Sequence, residues 1–288
     1  MFILKNENFN LKVNSKGAEV SSFFSKQLNK ELLWQADKEV WARHAPVLFP
    51  IVGKLKNNTY IYKGATYTLP QHGFARDCDF ELMEQSESSL VFELNENAET
   101  LKNYPFRFSL KIKYQLKPHG FSCTYLVSNP DTAPLYFSVG AHPGFNCPLF
   151  ENEKTEDYRL VFEEEDFIER HLIQEGLISQ QTEKILLKNK TLPLQTALFD
   201  KDAIVLKNLS SRSLKLQSNN YCLQFAWFNM PYYGIWTKPG SSGFICLEPW
   251  AGIADGTNTN GNLVDKEGII CLNKKEEHEC GFSVEIKL

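Results

Sequence analysis

Three ionisable side chains of this chain stand in short segments that are suited to a catalytic cleft. His72 lies in the segment QHGFAR, His142 in GAHPGF and Glu248 in LEPW. Each segment combines the polar side chain with glycine, proline or aromatic residues, which turn the backbone. The three residues are far apart in the chain, so that only a tertiary fold can bring them together. Two histidines and a carboxylate gathered in an aromatic cleft favour proton transfer on a small polar molecule.

The surroundings of Glu248 make it the candidate base. It follows the apolar strand FICL, and Pro249 comes directly after it. Proline is expected to end the strand ladder, which would leave the carboxylate where the strand meets the cleft. Apolar surroundings would keep the carboxyl group poised for proton exchange. The alternative is a glutamate that stands in water at a strand end.

His142 is the candidate acid. An apolar strand precedes it, and Pro143 and Gly144 form a turn directly after it. Histidine exchanges its proton near neutral pH, as a general acid must. The alternative is a structural histidine whose imidazole binds the backbone of the turn.

A series of motifs between Leu48 and Asp255 resembles the aldose 1-epimerase (galactose mutarotase-like) family, and in particular its LacX-type branch. The motifs are FPIVG, QHGFAR, GAHPGF, WTKPG, EPW and GIAD, in that order. The resemblance implies a β-supersandwich with a sugar lying across a concave sheet, and an isomerase that needs no cofactor. It also implies that His142 is the catalytic histidine and that Glu248 is its carboxylate partner.

Interconversion of the anomers of a cyclic aldose requires a base and an acid on either side of one hemiacetal. The base takes the proton of the hydroxyl on C1, and the acid delivers a proton to the ring oxygen. A carboxylate and an imidazolium suit these two roles. After the aldehyde has rotated, the same groups close the ring on its other face. No electrons are transferred and no group leaves, so the reaction requires neither cofactor nor metal.

Four polar residues are candidates for binding the substrate. His72 resembles the second active-site histidine of the family, which holds a sugar hydroxyl; the alternative is a histidine that caps a turn. Lys54 stands where relatives often have arginine, and lysine lacks the planar fork of that side chain. Asp202 resembles the family's acceptor for a substrate hydroxyl, although Asp200 is close enough to compete for the role. Arg76 is either a substrate ligand or a surface ion-pair partner.

Two tryptophans are candidate walls of the pocket. Sugars present apolar C–H faces that pack on aromatic rings, while their hydroxyls reach polar groups. Trp236 precedes TKPG, which places it near a loop, and Trp250 belongs to the EPW motif. The alternative for both is core packing.

The elements that must position these residues are strands. Apolar side chains alternate with polar ones in segments such as 108–116 and 121–127, and they do so at the end of the chain in Phe282, Val284, Ile286 and Leu288. A hairpin is predicted at 60–67, with its turn at Lys63–Gly64. Helical patterns are limited to about 38–44 and 98–104. No linker divides the chain, so we predict one domain over residues 1–288, an all-β, large antiparallel β-sandwich.

Composition excludes several classes of partner. The net charge is −4, and 31 basic residues are scattered among 35 acidic ones. There is therefore no basic footprint for nucleic acid or an anionic membrane. The seven cysteines are dispersed without a Cys-x-x-Cys pair, which predicts neither a zinc site nor a disulfide framework. The N-terminus lacks the pattern of a secretory signal. A cytoplasmic location is expected.

The sequence thus predicts a mutarotase that interconverts the α and β anomers of a hexose. A mutarotase for phosphorylated hexoses is the alternative enzyme, and it would need basic groups such as Lys54, Arg76 and Lys238 around the phosphate. A non-catalytic sugar-binding or sensing protein on the same fold is the alternative outside enzymes. The sequence leaves open the sugar, the anomeric preference and the oligomeric state.

Overall fold

A computed structural model describes residues 1–241 and 243–287. Its strands are β1 Phe2–Lys5, β2 Phe9–Val13, β3 Val20–Ser25, β4 Lys30–Glu31, β5 Val47–Leu48, β6 Thr59–Tyr62, β7 Ala65–Thr68, β8 Glu81–Gln85, β9 Ser89–Asn95, β10 Ser109–Lys117, β11 Gly120–Ser128, β12 Leu135–Phe137, β13 Val139–Ala141, β14 Gly144–Cys147, β15 Arg159–Phe162, β16 Phe167–Gln174, β17 Leu177–Leu186, β18 Thr191–Pro193, β19 Ile204–Lys207, β20 Ser213–Gln217, β21 Cys222–Phe228, β22 Tyr232–Trp236, β23 Gly243–Ala251, β24 Ile270–Leu272 and β25 Glu277–Lys287. The predicted strand position Leu288 lies outside the described residues.

Helical structure is sparse. Among the described residues, one α-helix, α1, covers Ala98–Asn103, and single turns of 3₁₀-helix cover Lys56–Asn58, Ala75–Asp77, Thr155–Asp157, Thr196–Phe199 and Leu263–Asp265. The predicted helix at 98–104 is therefore confirmed. Its N-terminus is fixed by a capping box, in which the Asn97 side chain accepts from the backbone of Thr100 and the Thr100 hydroxyl accepts from the Asn97 N–H.

The helix predicted at 38–44 is wrong. The segment forms a hydrogen-bonded turn, in which the Trp41 N–H donates to the Asp37 carbonyl over 2.8 Å. The N–H groups of His44 and Ala45 then both donate to the Glu19 carboxylate. A side chain from another part of the chain thus takes the backbone donors that a helix would have used.

Two large antiparallel sheets form the body of the fold. One has nine strands in the order β18-β15-β20-β21-β25-β11-β10-β9-β8. The other has the order β17-β16-β19-β22-β23-β13-β5, and β14 pairs with β23 beside β13. The all-β antiparallel sandwich predicted from the sequence is confirmed. Smaller sheets contain β1 to β4, β6 with β7, and β12 with β24.

The predicted alternation sets the inner face of the nine-stranded sheet. Leu110, Ile112 and Tyr114 of β10 are buried, while the residues between them are more exposed. The hairpin of β6 and β7 is also confirmed, and its two turn residues, Lys63 and Gly64, have φ angles of 49° and 79°. Positive φ at both central positions matches the right-handed twist of the paired strands.

Aromatic side chains join the two sheets. The Trp227 ring of β21 lies 4.4 Å from the Tyr233 ring of β22, and the Phe225 ring of β21 lies 6.1 Å from the Phe145 ring of β14. The larger of two hydrophobic clusters extends from Leu4 to Ile286 and contains residues of both large sheets. This continuity supports the single domain expected over residues 1–288, which stays a prediction.

Candidate active site

The carboxyl group of Glu248 lies at the centre of the smaller of the two large sheets. Glu248 is on β23, opposite Gly234 of β22, and only 2% of the residue is exposed. The prediction that Pro249 ends the strand is wrong, because β23 continues to Ala251. Proline is tolerated because the neighbouring chain leaves the ladder between Ala141, where β13 ends, and Gly144, where β14 begins. There is thus no regular ladder partner on that side for the missing N–H.

His142 occupies this break in the ladder. Its Nε2 atom lies 3.3 Å from Oε2 of Glu248, so the two candidate catalytic groups are in direct contact. The face of the imidazole stacks on the Trp41 ring, with centroids 4.9 Å apart and an interplanar angle of 26°. The Nδ1 atom is buried and has no hydrogen-bond partner within 1–241 and 243–287. The ring is therefore held by packing and by the carboxyl group.

Burial disfavours the charged form of both groups. It lowers the pKa of His142 to about 3, and nearby Arg76 and Arg43 act in the same direction. Burial also raises the pKa of Glu248 well above its ordinary value, to which the charge of Asp202 adds. A neutral imidazole beside a protonated carboxyl group is consequently the favoured state. The neutral pair and the ion pair contain the same number of protons, so the position of one proton distinguishes them.

His72 stands beside this pair. Its ring centroid is 5.6 Å from that of His142, and its Nδ1 atom accepts from the Gly53 N–H over 3.2 Å. This bond favours the tautomer that carries the proton on Nε2, and that atom lies 3.3 Å from the side-chain amide of Gln71. Burial and the neighbouring His142 lower the pKa of His72 well below its ordinary value. A neutral His72 can therefore donate one hydrogen bond through Nε2.

Gly53 permits two of the predicted motifs to meet. Its φ angle is 71°, and a Cβ atom there would lie 2.4 Å from the Cβ atom of Ala254. A larger residue would be strained by its backbone and would collide with the GIAD segment. The FPIVG and GIAD motifs thus share one wall of the site.

The charged candidates occupy different places. Arg76 and Asp202 line the cavity, and Arg76 donates to the Gln71 carbonyl over 2.7 Å. Asp202 has a φ angle of 72°, and its Oδ1 accepts from the Ala203 N–H. Asp200 caps the preceding 3₁₀ turn and is exposed. Of the two aspartates, Asp202 is therefore the one placed at the cavity.

Lys54 lies behind the wall of the cavity. Its ammonium group donates to the Glu175 carbonyl over 3.0 Å, and its Cδ atom lies 2.9 Å from the position that a Cβ on Gly176 would take. Gly176 in turn lines the cavity. In this arrangement Lys54 supports the turn between β16 and β17. Its predicted role as a substrate ligand stays a prediction.

The cavity itself has a volume of about 370 Å³, which is appropriate for a small ligand. Trp236 and Trp250, the predicted walls, both line it, together with His72, His142 and Glu248. The remaining lining residues include Pro46, Val52, Gln71, Ile173, Ile178, Ala203 and Val205.

Trp41 is a wall of the cavity that the sequence analysis missed. Besides stacking on His142, its ring lies 5.6 Å from the Trp236 ring and 5.3 Å from the Phe244 ring. It falls in the segment that was predicted as a helix. In the sequence nothing distinguishes it from a core tryptophan.

A further cluster involves Cys246, two positions before Glu248 on β23. A nitrogen of His142, the sulfur of Cys246 and an oxygen of Glu248 lie within 4.8 Å of one another. Nitrogen, sulfur and oxygen donors at this separation could hold a zinc ion. However, burial and Glu248 raise the pKa of the Cys246 thiol well above its ordinary value, which favours the protonated form. We assign no metal ligand here, and independence from metal stays a prediction.

Comparison with known proteins agrees with this geometry. Residues 1–270 match the sequence model of a family described as aldose 1-epimerase. The chain belongs to the aldose 1-epimerase family. The resemblance proposed from the motifs is thereby confirmed, and the protein is an isomerase of the aldose 1-epimerase type with a small-molecule sugar as its partner.

Relatives within the family support the assignment. The plasmid and chromosomal forms of protein LacX from Lactococcus lactis subsp. lactis are each 38% identical over 274 residues, which is 91% of both chains. A galactose mutarotase related enzyme from Lactobacillus acidophilus has a TM-score of 0.94 and 34% identity, covering 100% of this chain and 97% of the other. A galactose mutarotase-like protein from Lactobacillus casei has a TM-score of 0.92 and 31% identity, covering 100% of both chains.

Within the described residues, no helix has the length and apolar character needed to cross a membrane.

Proposed function

We propose that the protein interconverts the α and β anomers of a hexose by opening and closing its ring. The observation that carries this proposal is the contact of 3.3 Å between Nε2 of His142 and Oε2 of Glu248 in the floor of a cavity of sugar size. In a reversible ring opening the acid gives up one proton and the base takes up one, so the pair as a whole neither gains nor loses a proton.

In the proposed ring opening, the Glu248 carboxylate takes the proton of the C1 hydroxyl. The bond between C1 and the ring oxygen breaks, its electron pair goes to the ring oxygen, and His142 supplies a proton to that atom. The exocyclic C1–O bond becomes a carbonyl. Rotation about C1–C2 and the reverse proton transfers then close the ring on the other face of C1.

The proton affinities of the pair favour the state that follows ring opening. After the two transfers Glu248 is protonated and His142 is neutral, and burial stabilises this distribution relative to the ion pair. Because the two groups are in contact, a proton can pass from Glu248 to His142 before the next opening. Burial thus lowers the free energy of the pair as it stands after ring opening, relative to the ion pair from which opening starts.

The other predicted ligands have defined places in this proposal. His72 donates to a sugar hydroxyl through Nε2, Asp202 accepts from a hydroxyl, and Arg76 donates to an oxygen of the sugar. Trp236 and Trp250 pack against the apolar C–H faces of the ring. Lys54 acts at one remove, through the turn that contains Gly176.

A neutral hexose is the substrate that the charges favour over a hexose phosphate. Arg76 lines the cavity, but the negatively charged Asp202 lines it as well. The ammonium groups of Lys54 and Lys238 donate to the backbone carbonyls of Glu175 and Glu39. A dianionic phosphate would need several of these cations to converge.

The decisive experiment follows the relaxation of freshly dissolved α-anomers by NMR, for free and phosphorylated hexoses, with and without protein. Acceleration with a free hexose is the expected result. Acceleration confined to a phosphorylated hexose would favour the alternative substrate. Binding of sugars without any acceleration would favour the non-catalytic module. The cytoplasmic location stays a prediction.

A further inference from the structure

The indole ring of Trp250 lies against the sheet over two glycines. Gly140 is opposite Trp250 in the ladder, and a Cβ there would lie 2.7 Å from Cδ1 of the ring. Gly234 is opposite Glu248, and a Cβ there would lie 2.4 Å from Cζ2. The ring therefore crosses β23 obliquely, from the β13 side at its own position to the β22 side at the level of Glu248. A side chain at either glycine would displace it.

The N–H group of this ring is a buried donor. Trp250 Nε1 is shielded from solvent and has no hydrogen-bond partner of normal geometry in the part of the chain that the structure describes. Tryptophan can only donate at this atom. A buried donor without a partner is destabilising, so such groups usually serve a purpose. Trp250 lines the substrate cavity, so this N–H group lies at the site.

The neighbour that can use this donor is Glu248. Residues 248 and 250 of β23 project from the same face of the sheet, because side chains of a strand alternate. The indole N–H is near enough to the carboxyl group to lower the Glu248 pKa, although by less than burial raises it. An ionised carboxylate would attract the N–H more strongly than the protonated group does.

We propose that Trp250 is a positioning residue whose N–H group donates to the Glu248 carboxylate whenever that group is ionised. The inference rests on the proposed function, in which the ionised form takes the C1 proton. It goes beyond the role of Trp250 as an aromatic wall. In that role the face of the ring packs on the sugar, whereas here the edge of the ring donates to the base.

The other groups around the carboxyl group do not supply this donor in the same way. His142 is in contact but exchanges the reacting proton with Glu248. The charge of Asp202 raises the pKa of Glu248, and the buried thiol of Cys246 is a weak donor. Tyr233 is on β22 opposite Pro249, so its side chain projects from the other face of the sheet. Trp250 is thus the neutral donor that can stabilise the ionised base without entering the reaction.

The test replaces Trp250 by phenylalanine, which keeps an aromatic face and removes the N–H. The expected result is a fall in kcat of about 10- to 150-fold, the range for a lost hydrogen bond to a charged group, with KM within about threefold. In the free enzyme, activity ends at high pH when the His142–Glu248 pair loses its shared proton from Glu248. This alkaline limb of kcat/KM should move up by about one to two pH units, because loss of the N–H raises the Glu248 pKa. A raised KM with unchanged kcat and pH limb would overturn the proposal.

Two further variants make the test independent of shape. Incorporation of 3-benzothienylalanine at position 250 replaces the N–H by sulfur in a ring of nearly the same size, and it should reproduce the changes of W250F. Gly234→Ala keeps the N–H but places a Cβ at 2.4 Å from the ring, so it should shift the limb in the same direction. The matched control is Trp236→Phe, which should alter KM without moving the limb.

A measurement without substrate separates this inference from the proposed function. The infrared difference spectrum between the protein and its E248Q variant reports the protonation of the Glu248 carboxyl group as pH changes. In W250F the midpoint should be higher than in the wild type. Coinciding midpoints would overturn the role of Trp250, even if the enzyme is a mutarotase. A clear shift in a protein without mutarotation would support the contact and reject the function.

Discussion

In the nine-stranded sheet, strands such as β10 alternate buried and more exposed residues, whereas every residue of β23 from Phe244 to Ala251 is buried. The first sheet has a solvated face, and the buried residues of its strands within 1–241 and 243–287 include no Asp, Glu, His, Lys or Arg. The second sheet carries Glu248 and Arg170 on its strands and His142 in a break between them.

The difference explains how one fold combines stability with chemistry. A strand that keeps its charges in water gains stability from its apolar face at little electrostatic cost. A strand whose two faces are both covered can hold a carboxyl group away from water, which changes the proton affinity of that group. The nine-stranded sheet thus supplies the core, with rings such as Phe225 and Phe282 stacked 5.1 Å apart. The other sheet accommodates a destabilising but reactive pair.

The largest expected effect is the loss of catalysis when either member of the pair is changed. Glu248→Gln or His142→Asn should lower kcat about 10²- to 10⁴-fold, because each group transfers a proton in the transition state. Sugar binding, measured by calorimetry, should change little. The matched control on the other sheet is Glu93→Gln, whose partly buried carboxylate accepts from Ser109 on β10. An E248Q protein with near-normal turnover would remove the proposed base.

Glu248→Gln should also stabilise the protein at neutral and higher pH. The folded state keeps a proton on Glu248 that the unfolded state loses above about pH 4.5, so wild-type stability falls as pH rises from there toward the raised pKa of the folded state. Glutamine abolishes this loss. The difference in free energy of unfolding should therefore grow with pH, by up to about 1.4 kcal/mol per pH unit. Urea titrations at several pH values measure it, and a difference independent of pH would contradict the buried neutral carboxyl.

A smaller effect separates Arg76, which lines the cavity, from Lys54, which lies behind its wall. Arg76→Met should lower kcat/KM for a free hexose about 10- to 150-fold, because it removes a charged donor that lines the cavity. Lys54→Met should change it by no more than about threefold, since its exposed ammonium group contacts the Glu175 carbonyl.

Steady-state kinetics at low and high salt decide between these positions. A loss for Lys54→Met as large as that for Arg76→Met would show that Lys54 contacts the substrate directly. A KM for a hexose 6-phosphate far below that of the free hexose, rising steeply with salt, would overturn the preference for a neutral sugar.

The smallest expected effect is that of metal removal. Dialysis against a chelator should leave turnover unchanged, because the proposed acid–base pair requires no metal and the Cys246 thiol beside it is held in its protonated form. Loss of activity that one divalent ion restores would reveal a metal site at His142, Cys246 and Glu248. Cys280→Ser, a buried cysteine of the nine-stranded sheet, is the control against general thiol effects.

The sequence by itself determined the class of fold and most residues of the site. Apolar and polar residues alternate visibly in the sequences of β10, β11 and β25 because one face of their sheet is exposed to solvent. The motifs identified the family, and seven of the eight predicted site residues line one cavity. These features are local in the sequence, so a single chain suffices to find them.

Tertiary structure decided the rest. Pro249 is tolerated inside β23 because the adjacent strand is interrupted at His142. The residues around Pro249 do not indicate which strands lie beside them in the sheet. Trp41 reaches the site because the Glu19 carboxylate accepts hydrogen bonds from the backbone N–H groups of His44 and Ala45, which follow Trp41. The proton affinities of His142 and Glu248 depend on burial and on contact across the chain, and both arise only when the strands are assembled.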